Sequence, residues 1–328
     1  MREPAFWWRE QGLTSGLLSP LAAVYGAVAA QRMARPGHTV GIPVVCVGNL
    51  TLGGAGKTPA AIAVARMLDA AERRPFVLSR GYGGALAGPV QVDPARHRAA
   101  EVGDEPLLLA RFAPTIVSRD RAAGADMARA AGAGSIVMDD GFQSPGLHKD
   151  RSILVVDGGR GIGNGWVFPA GPLRAPLDSQ LRRAQALLVV GSGTAGDGVA
   201  AAAQWHGLPV FHGRLEPDAQ ALTVLQGRPV LAFAGIGDPD KFFTTLRGAG
   251  IDVRVALPFA DHHRYRRFEA RELIERAERE GLVLATTEKD VARLAGQDDV
   301  AALAAVVHTV PVTLKVTEDD AFRNWVLT

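Results

Sequence analysis

The stretch VGNLTLGGAGKTP, residues 47–59, has the residue types that hold a nucleotide's phosphates. Phosphate-binding loops follow G-x-x-x-x-G-K-[ST]; Gly56, Lys57 and Thr58 fit the second half, and Thr51 stands where the first glycine belongs. Glycines let backbone N–H groups turn toward phosphate oxygens, the lysine brings a charge to the terminal phosphates, and the hydroxyl ligates Mg²⁺. Gly53 and Gly54 can supply the tight bend that Thr51 does not. Thr51, Leu52, Gly53, Gly54, Ala55, Gly56, Lys57, Thr58 and Pro59 are therefore the expected nucleotide-binding residues, with ATP or GTP as the ligand.

Acids and bases elsewhere could complete a phosphate chemistry. Asp139 and Asp140 end the apolar run Ile136–Met138, where a carboxylate can hold Mg²⁺ or its water shell. Asp157 ends a similar run and competes for that role. Asp104 and Glu105 precede Pro106, a position that equally suits plain helix capping. FADHHRY, residues 259–265, holds His262 and His263, which point in different directions, so at most one is expected to act in catalysis. An Asp and a His brought together from separate domains would form a proton-abstracting pair. Arg80 and Tyr82 in SRGYGG suit an anionic or sugar ligand. PAGPLRAPL, residues 169–177, reads as an ordered substrate loop around Arg174. GIGDPDK only begins like a dinucleotide fingerprint, and TTEKD reads as a helix start with Thr287 capping toward Asp290.

The elements that must position these groups alternate. An apolar strand over 42–49 leads into the loop, and a helix over 59–71 follows, with Pro59 in its first turn where a missing N–H costs little. Short strands are expected within 74–84, 114–121, 135–143, 152–159 and 186–193, the last three ending in acids or glycines, with an Ala-rich helix over 122–132. After LPVFHGRLEP come strands near 228–237, 251–259 and 282–290, helices over 239–249 and 268–280, and a terminal strand near 310–316. Such alternation predicts an open, mostly parallel, doubly wound α/β sheet carrying the phosphate loop, with sites at the strands' carboxyl ends, and a second, smaller α/β domain. The expected division is 1–36, an N-terminal helical segment; 37–209, the nucleotide domain; 210–227, a linker; and 228–328, the smaller domain.

With 328 residues, 47% of them hydrophobic, the chain has ample material for two cores. A formal charge of +2 gives no bulk attraction for nucleic acid. The single Cys46 lies in an apolar strand, which excludes an intrachain disulfide and a cysteine-based zinc site. No charge occurs from Gln11 to Gln31, and Trp7, Trp8 and arginines flank that stretch. Gln, Ser, Gly and Pro20 dilute its hydrophobicity, so it is expected to form an interfacial helix pair on a membrane surface rather than a span. Packing on the protein's own core is the competing expectation. AVAAQ resembles a signal-peptidase site, but export would place a nucleotide loop where ATP is scarce.

Taken together, VGNLTLGGAGKTP, LSRGYGG, GDEP, DDGFQ, GNGWVFPAGPLR, AGIGDPDKFF, FADHH and TTEKD, in order across residues 47–290, resemble the tetraacyldisaccharide 4'-kinases of lipid A synthesis. Thr51 is what that family shows in the loop. The resemblance implies transfer of the ATP γ-phosphoryl group to the 4'-hydroxyl of a lipid-linked disaccharide 1-phosphate. It implies Asp104 as catalytic base paired with His262, and Lys57 and Thr58 on the phosphates and Mg²⁺. Asp139 and Asp140 match the acids near the metal, and Arg80, Tyr82, Arg121 and Arg174 are similar to substrate-side positions. It further implies association with the cytoplasmic face of the inner membrane and no protein partner. Two departures stand out: Ser144-Pro145-Gly146 replaces the basic or His residues many relatives carry, and Ala175 stands where many have Glu. The alternatives at this point are a soluble phosphate-loop enzyme of another class, such as an ATP-dependent ligase, and a GTP-driven maturation factor.

Overall fold

The computed structural model describes residues 3–54 and 56–328. Thirteen strands are present among the described residues: β1 (Val44–Asn49), β2 (Pro75–Ser79), β3 (Val90–Gln91), β4 (Thr115–Val117), β5 (Ser135–Asp139), β6 (Arg151–Asp157), β7 (Ala186–Val190), β8 (Val210–Pro217), β9 (Val230–Ala234), β10 (Val253–Pro258), β11 (Val283–Thr286), β12 (His308–Thr309) and β13 (Val312–Val316). Nine form one sheet in the order β13-β8-β7-β6-β1-β5-β2-β4-β3, parallel except at its two edges. A second sheet, β10-β9-β11-β12, is wholly parallel.

The apolar strands of the large sheet are buried on both faces, as parallel sheets require. Alternate residues divide between the faces: Val44, Cys46, Ile136, Met138 and Leu154 pack on one side. Val45, Val47, Val137, Ile153 and Val155 pack on the other, under the helix Lys57–Ala70. β1 lies between β5 and β6, with Val47 beside Asp139 and Asn49 beside Val155. That register brings the ends of β1, β5 and β6 to one edge, so the phosphate loop, Asp139, Asp140 and Asp157 share it.

Two expectations are corrected here. Residues 210–217 are not a linker but strand β8, paired with β7 and β13. The strand is half-exposed, with only Phe211 fully buried, so its sequence lacks the apolar run that marks the central strands. The chain's end also returns to the first unit: β13 closes that sheet's edge, and Phe322 and Val326 of the helix Asp319–Leu327 enter its core. The second unit is thus built from β9–β12 and their helices alone.

The N-terminal segment is one helix, Leu13–Met33, rather than a pair, preceded by a short 3₁₀ turn, Ala5–Trp8. Pro20 lies inside it without ending it. The carbonyl of Gly16, which Pro20 cannot bond, accepts the Ser19 hydroxyl at 2.8 Å. Ser15, Ala22 and Gly26 face the protein, Gly26 against Pro176. Leu13, Leu17, Leu21, Val24, Tyr25 and Val28 form an exposed stripe at helical spacing.

Candidate active site

The loop between β1 and the helix Lys57–Ala70 is shaped from within. Asn49 Nδ2 donates to the carbonyls of Thr51 (2.7 Å) and Gly53 (3.2 Å). Gly56 precedes the helix with φ of 82°, a left-handed conformation that disfavours a side chain. Thr51 is buried, and Arg174 Nε donates to its carbonyl at 2.9 Å, while Leu52 N–H donates to Pro172. The PAGPLR loop therefore braces the phosphate loop. Ala55 lies outside the described residues. Lys57 is buried, with Nζ 3.4 Å from the Gly53 carbonyl and 3.8 Å from Asp140. Burial pushes its ammonium pKa down, with Asp140 opposing.

The three strand-end acids differ sharply. Asp157 accepts the N–H groups of Gly159 and Arg160 and pairs with Lys241 of the second unit, so it is committed to holding a turn and a domain contact. Asp140 leaves β5 with φ of 48° and takes a bidentate pair from Arg174, at 2.8 and 3.1 Å. Burial would raise its carboxyl, but Lys57 and Arg174 hold it down at about 2. Asp139 is fully buried, and its Oδ1 has no hydrogen-bond partner among the described residues. Burial, then the charges of Glu105 and Asp140, push it up to about 7. A buried carboxylate oxygen without a partner is costly unless something cationic meets it. Thr58 Oγ1 lies nearby in the fold, 3.4 Å from Glu105 Oε1. A hydroxyl and a carboxylate, supplemented by phosphate oxygens and water, form the hard donor set that Mg²⁺ takes. The residues present fit that ion, with Thr58 and Asp139 as the better-placed pair and Asp140 engaged by Arg174.

Asp104 begins the helix Asp104–Leu109 on the first unit; His262 sits on the turn after β10 on the second. Across 158 positions of sequence their side chains meet, with His262 Nδ1 3.1 Å from both Asp104 oxygens. Gly103, with φ of 93°, lets the Tyr82 carbonyl approach where a Cβ would stand 2.6 Å away. His262 itself adopts φ of 55°, a left-handed conformation uncommon for a non-glycine residue and kept where the surrounding structure over-determines the backbone. Both Asp104 oxygens are spoken for: Oδ1 also accepts the Glu105 N–H, and Oδ2 accepts Arg293 Nε at 2.6 Å. Burial alone would raise the Asp104 carboxyl, but the His262 hydrogen bond and the Arg293 charge hold it well below the usual range. The same hydrogen bond raises the His262 imidazole above its ordinary value.

Sequence reasoning missed the cations behind this pair. Lys289 and Arg293 lie one turn apart on the helix Glu288–Leu294 and face the acids of the first unit. Lys289 Nζ meets Glu105 at 2.5 Å, and Arg293 also bonds Asp290 and the Gly235 carbonyl. Asp290 in turn accepts the Tyr265 hydroxyl at 2.7 Å. The i, i+4 spacing of Lys289, within TTEKD, and Arg293, just after it, was the available signal. Thr287 does cap that helix, as expected.

The remaining candidates separate. Tyr82 is exposed, its ring 5.2 Å from that of His262, and Arg80 is exposed nearby in sequence. Arg121 is buried and donates to the carbonyls of Leu78, Asp139 and Asp140, so it braces β2 and β5 beneath the site rather than facing a ligand. His263 bonds Glu269 and stacks on Phe259, away from Asp104. Lys149 donates to the Ser144 carbonyl, and Ala175 is fully buried with Gln180 on its carbonyl. Tyr82, Asp104, His262 and Arg293 line a cavity of about 490 Å³ between the units.

Comparison with known proteins gives the chain's relatives. Residues 14–328 match the family model described as tetraacyldisaccharide-1-P 4'-kinase. A tetraacyldisaccharide 4'-kinase of Rhodopseudomonas palustris (strain BisB18) is 56% identical over 327 residues, covering 100% of this chain and 95% of the relative. One from Methylobacterium sp. (strain 4-46) is 58% identical over 322 residues, covering 98% and 95%. The crystal structure of LpxK from Aquifex aeolicus in complex with ATP superposes with a TM-score of 0.74 at 27% identity, covering 95% of this chain and 98% of that one.

Proposed function

The chain belongs to the tetraacyldisaccharide-1-P 4'-kinase family, and from that premise and the site's geometry we infer how its residues divide the work. It is an ATP-dependent kinase that moves the γ-phosphoryl group to the 4'-hydroxyl of a tetraacyldisaccharide 1-phosphate in lipid A synthesis. The ligase and maturation-factor alternatives are not favoured by any of these matches.

Phosphoryl transfer asks a protein mainly for positioning and charge neutralisation. Lys57 and the N–H groups of the phosphate loop receive the ATP phosphates. Thr58 and Asp139 would hold Mg²⁺, which would supply neutralisation of phosphate charge. Arg174 and Asp140 fix the loop's rear. The Asp104–His262 contact carries the reading. Asp104 has both oxygens occupied and a strongly depressed pKa, which suits it to orient the imidazole. His262 Nδ1–H donates to Asp104, leaving Nε2, 3.7 Å from Asp261 Oδ2, as the ring's proton-accepting nitrogen. His262 is thus the proton acceptor, a refinement of the expected assignment of the base to Asp104. The 4'-oxygen attacks the γ-phosphorus as its proton passes to Nε2. The bond to the bridging oxygen breaks, and ADP leaves with that electron pair.

The helix Leu13–Met33 is apolar enough for membrane association, with mean hydropathy of 1.5 and little of it buried. Its exposed Leu/Val/Tyr stripe supports docking on the inner membrane's cytoplasmic face, where a tetraacylated acceptor keeps its chains in lipid. Purified protein given γ-labelled nucleotide should label the lipid with ATP and Mg²⁺ far better than with GTP. Label released as inorganic phosphate, with the lipid left unlabelled, would overturn the kinase assignment.

A further inference from the structure

The cavity beside the dyad has charges that the chemistry above does not use. Arg98, on the first unit just before the short helix Ala99–Val102, lines it, and so does Arg264, two residues after His262 on the second unit. Both are exposed, and neither forms an ion pair with a carboxylate among the described residues. Arg264 reaches across the interface to donate to the Gly83 carbonyl at 3.2 Å, beside Tyr82. Arg293 forms part of the cavity wall, and its Nη2, though buried, has no hydrogen-bond partner among the described residues. Asp298 and Asp299 also line the cavity. A volume of about 490 Å³ is of the size that accepts a sugar headgroup.

We propose that Arg98 and Arg264 form a two-domain clamp for the acceptor's own phosphate, the group at the 1-position, with Tyr82 against the sugar between clamp and dyad. The proposal rests on the kinase reading above. Guanidinium forks match phosphate oxygens, and two of them on opposite units make one anion a bridge. Because Arg264 shares its turn with His262, a phosphate held by both arginines ties that turn to the first unit. Acceptor binding then stabilises the Asp104–His262 contact, and an acceptor without the 1-phosphate does so less well.

The test compares two acceptors, the disaccharide 1-phosphate and its 1-dephospho form, in wild type, Arg98→Ala, Arg264→Ala and the double variant. The quantity read is the ratio of kcat/KM between the two acceptors, with KM for ATP measured in parallel. Wild type should prefer the phosphorylated acceptor. Each alanine should reduce that preference about tenfold, the scale of one charge-assisted hydrogen bond, with KM for ATP within about twofold. Lysine at either position should keep part of the preference, and the lysine variants carry the test should an alanine variant fail to fold. An unchanged ratio, an equal loss on both acceptors, or a raised KM for ATP in its place would overturn the clamp. Failure of wild type to phosphorylate either acceptor would overturn the kinase reading instead.

Discussion

Replacing Asp104 by Asn and His262 by Ala, singly and together, probes whether the two act as one unit. Asn is the informative change at position 104, because its carbonyl can still accept from Nε of the buried Arg293, which keeps Asp290 as its ionic partner, whereas Ala would leave that N–H without an acceptor. Removing one member of such a pair costs roughly 3–5 kcal/mol of stability, which would confuse a kinetic result. Loss of a general base costs about 10²–10⁴-fold in rate. With about 10³-fold for each single change, independent action gives about 10⁶ in the double variant, whereas a dyad leaves it near 10³. The coupling is then about 4 kcal/mol, well above experimental scatter. The pH profile adds an independent readout. His262 must be neutral to accept a proton, and its hydrogen bond to Asp104 raises its pKa, so kcat should rise through a midpoint above about 6.5. Asp104→Asn removes the largest cause and should move the midpoint down. Steady-state transfer of labelled phosphate from pH 5 to 9 measures both effects. Additive losses, or a midpoint unmoved by Asp104→Asn, would refute the reasoning.

Lys57→Ala should abolish most turnover with the melting temperature nearly kept, because its charge serves the transferred phosphoryl group; a scanning melt beside the kinase assay checks this. His263→Ala, whose ring contacts Glu269 and Phe259, should retain activity far better than His262→Ala in the same assay. Asp139 ionises in the unfolded chain near 3.9 but at about 7 when folded, so the nucleotide-free protein should lose about 3 kcal/mol between pH 5 and 8 at this site. Asp139→Asn should remove that loss, raising the melting temperature at pH 8 and barely at pH 5; equal shifts at both would contradict the assignment. Leu17→Glu with Val24→Glu should release the protein from anionic vesicles in a flotation assay while nucleotide binding persists.

The central sheet was legible because β1, β5, β6 and β7 are short apolar runs, with Gly48-Asn49, Asp139, Asp157 and Gly191 marking their carboxyl ends. Long-range closure was not. β8 and β13 carry half-exposed residues, and only their mutual pairing shows that residues 210–217 and 312–316 belong to one edge. Thr58 and Asp139 could be named from type and spacing, and Asp104 and His262 as a pair only through the resemblance to the kinase family. Their partners could not, because Arg293 and Lys289 gain meaning only when the second unit is laid on the first. The same holds for Arg121: an arginine ahead of an Ala-rich helix looks free in sequence, yet the fold spends its donors on three carbonyls. Pro20 reads as a break until the Ser19 hydroxyl is seen taking over the orphaned carbonyl.

The chemical identity of the product tests the account most directly. After a single turnover with γ-labelled ATP and the tetraacyldisaccharide 1-phosphate, ³¹P NMR and mass spectrometry of the purified lipid should show one new phosphomonoester, on the 4'-oxygen. Stoichiometric ADP and no free phosphate should accompany it. Phosphate on another hydroxyl, or ATP cleaved with the lipid unchanged, would contradict it.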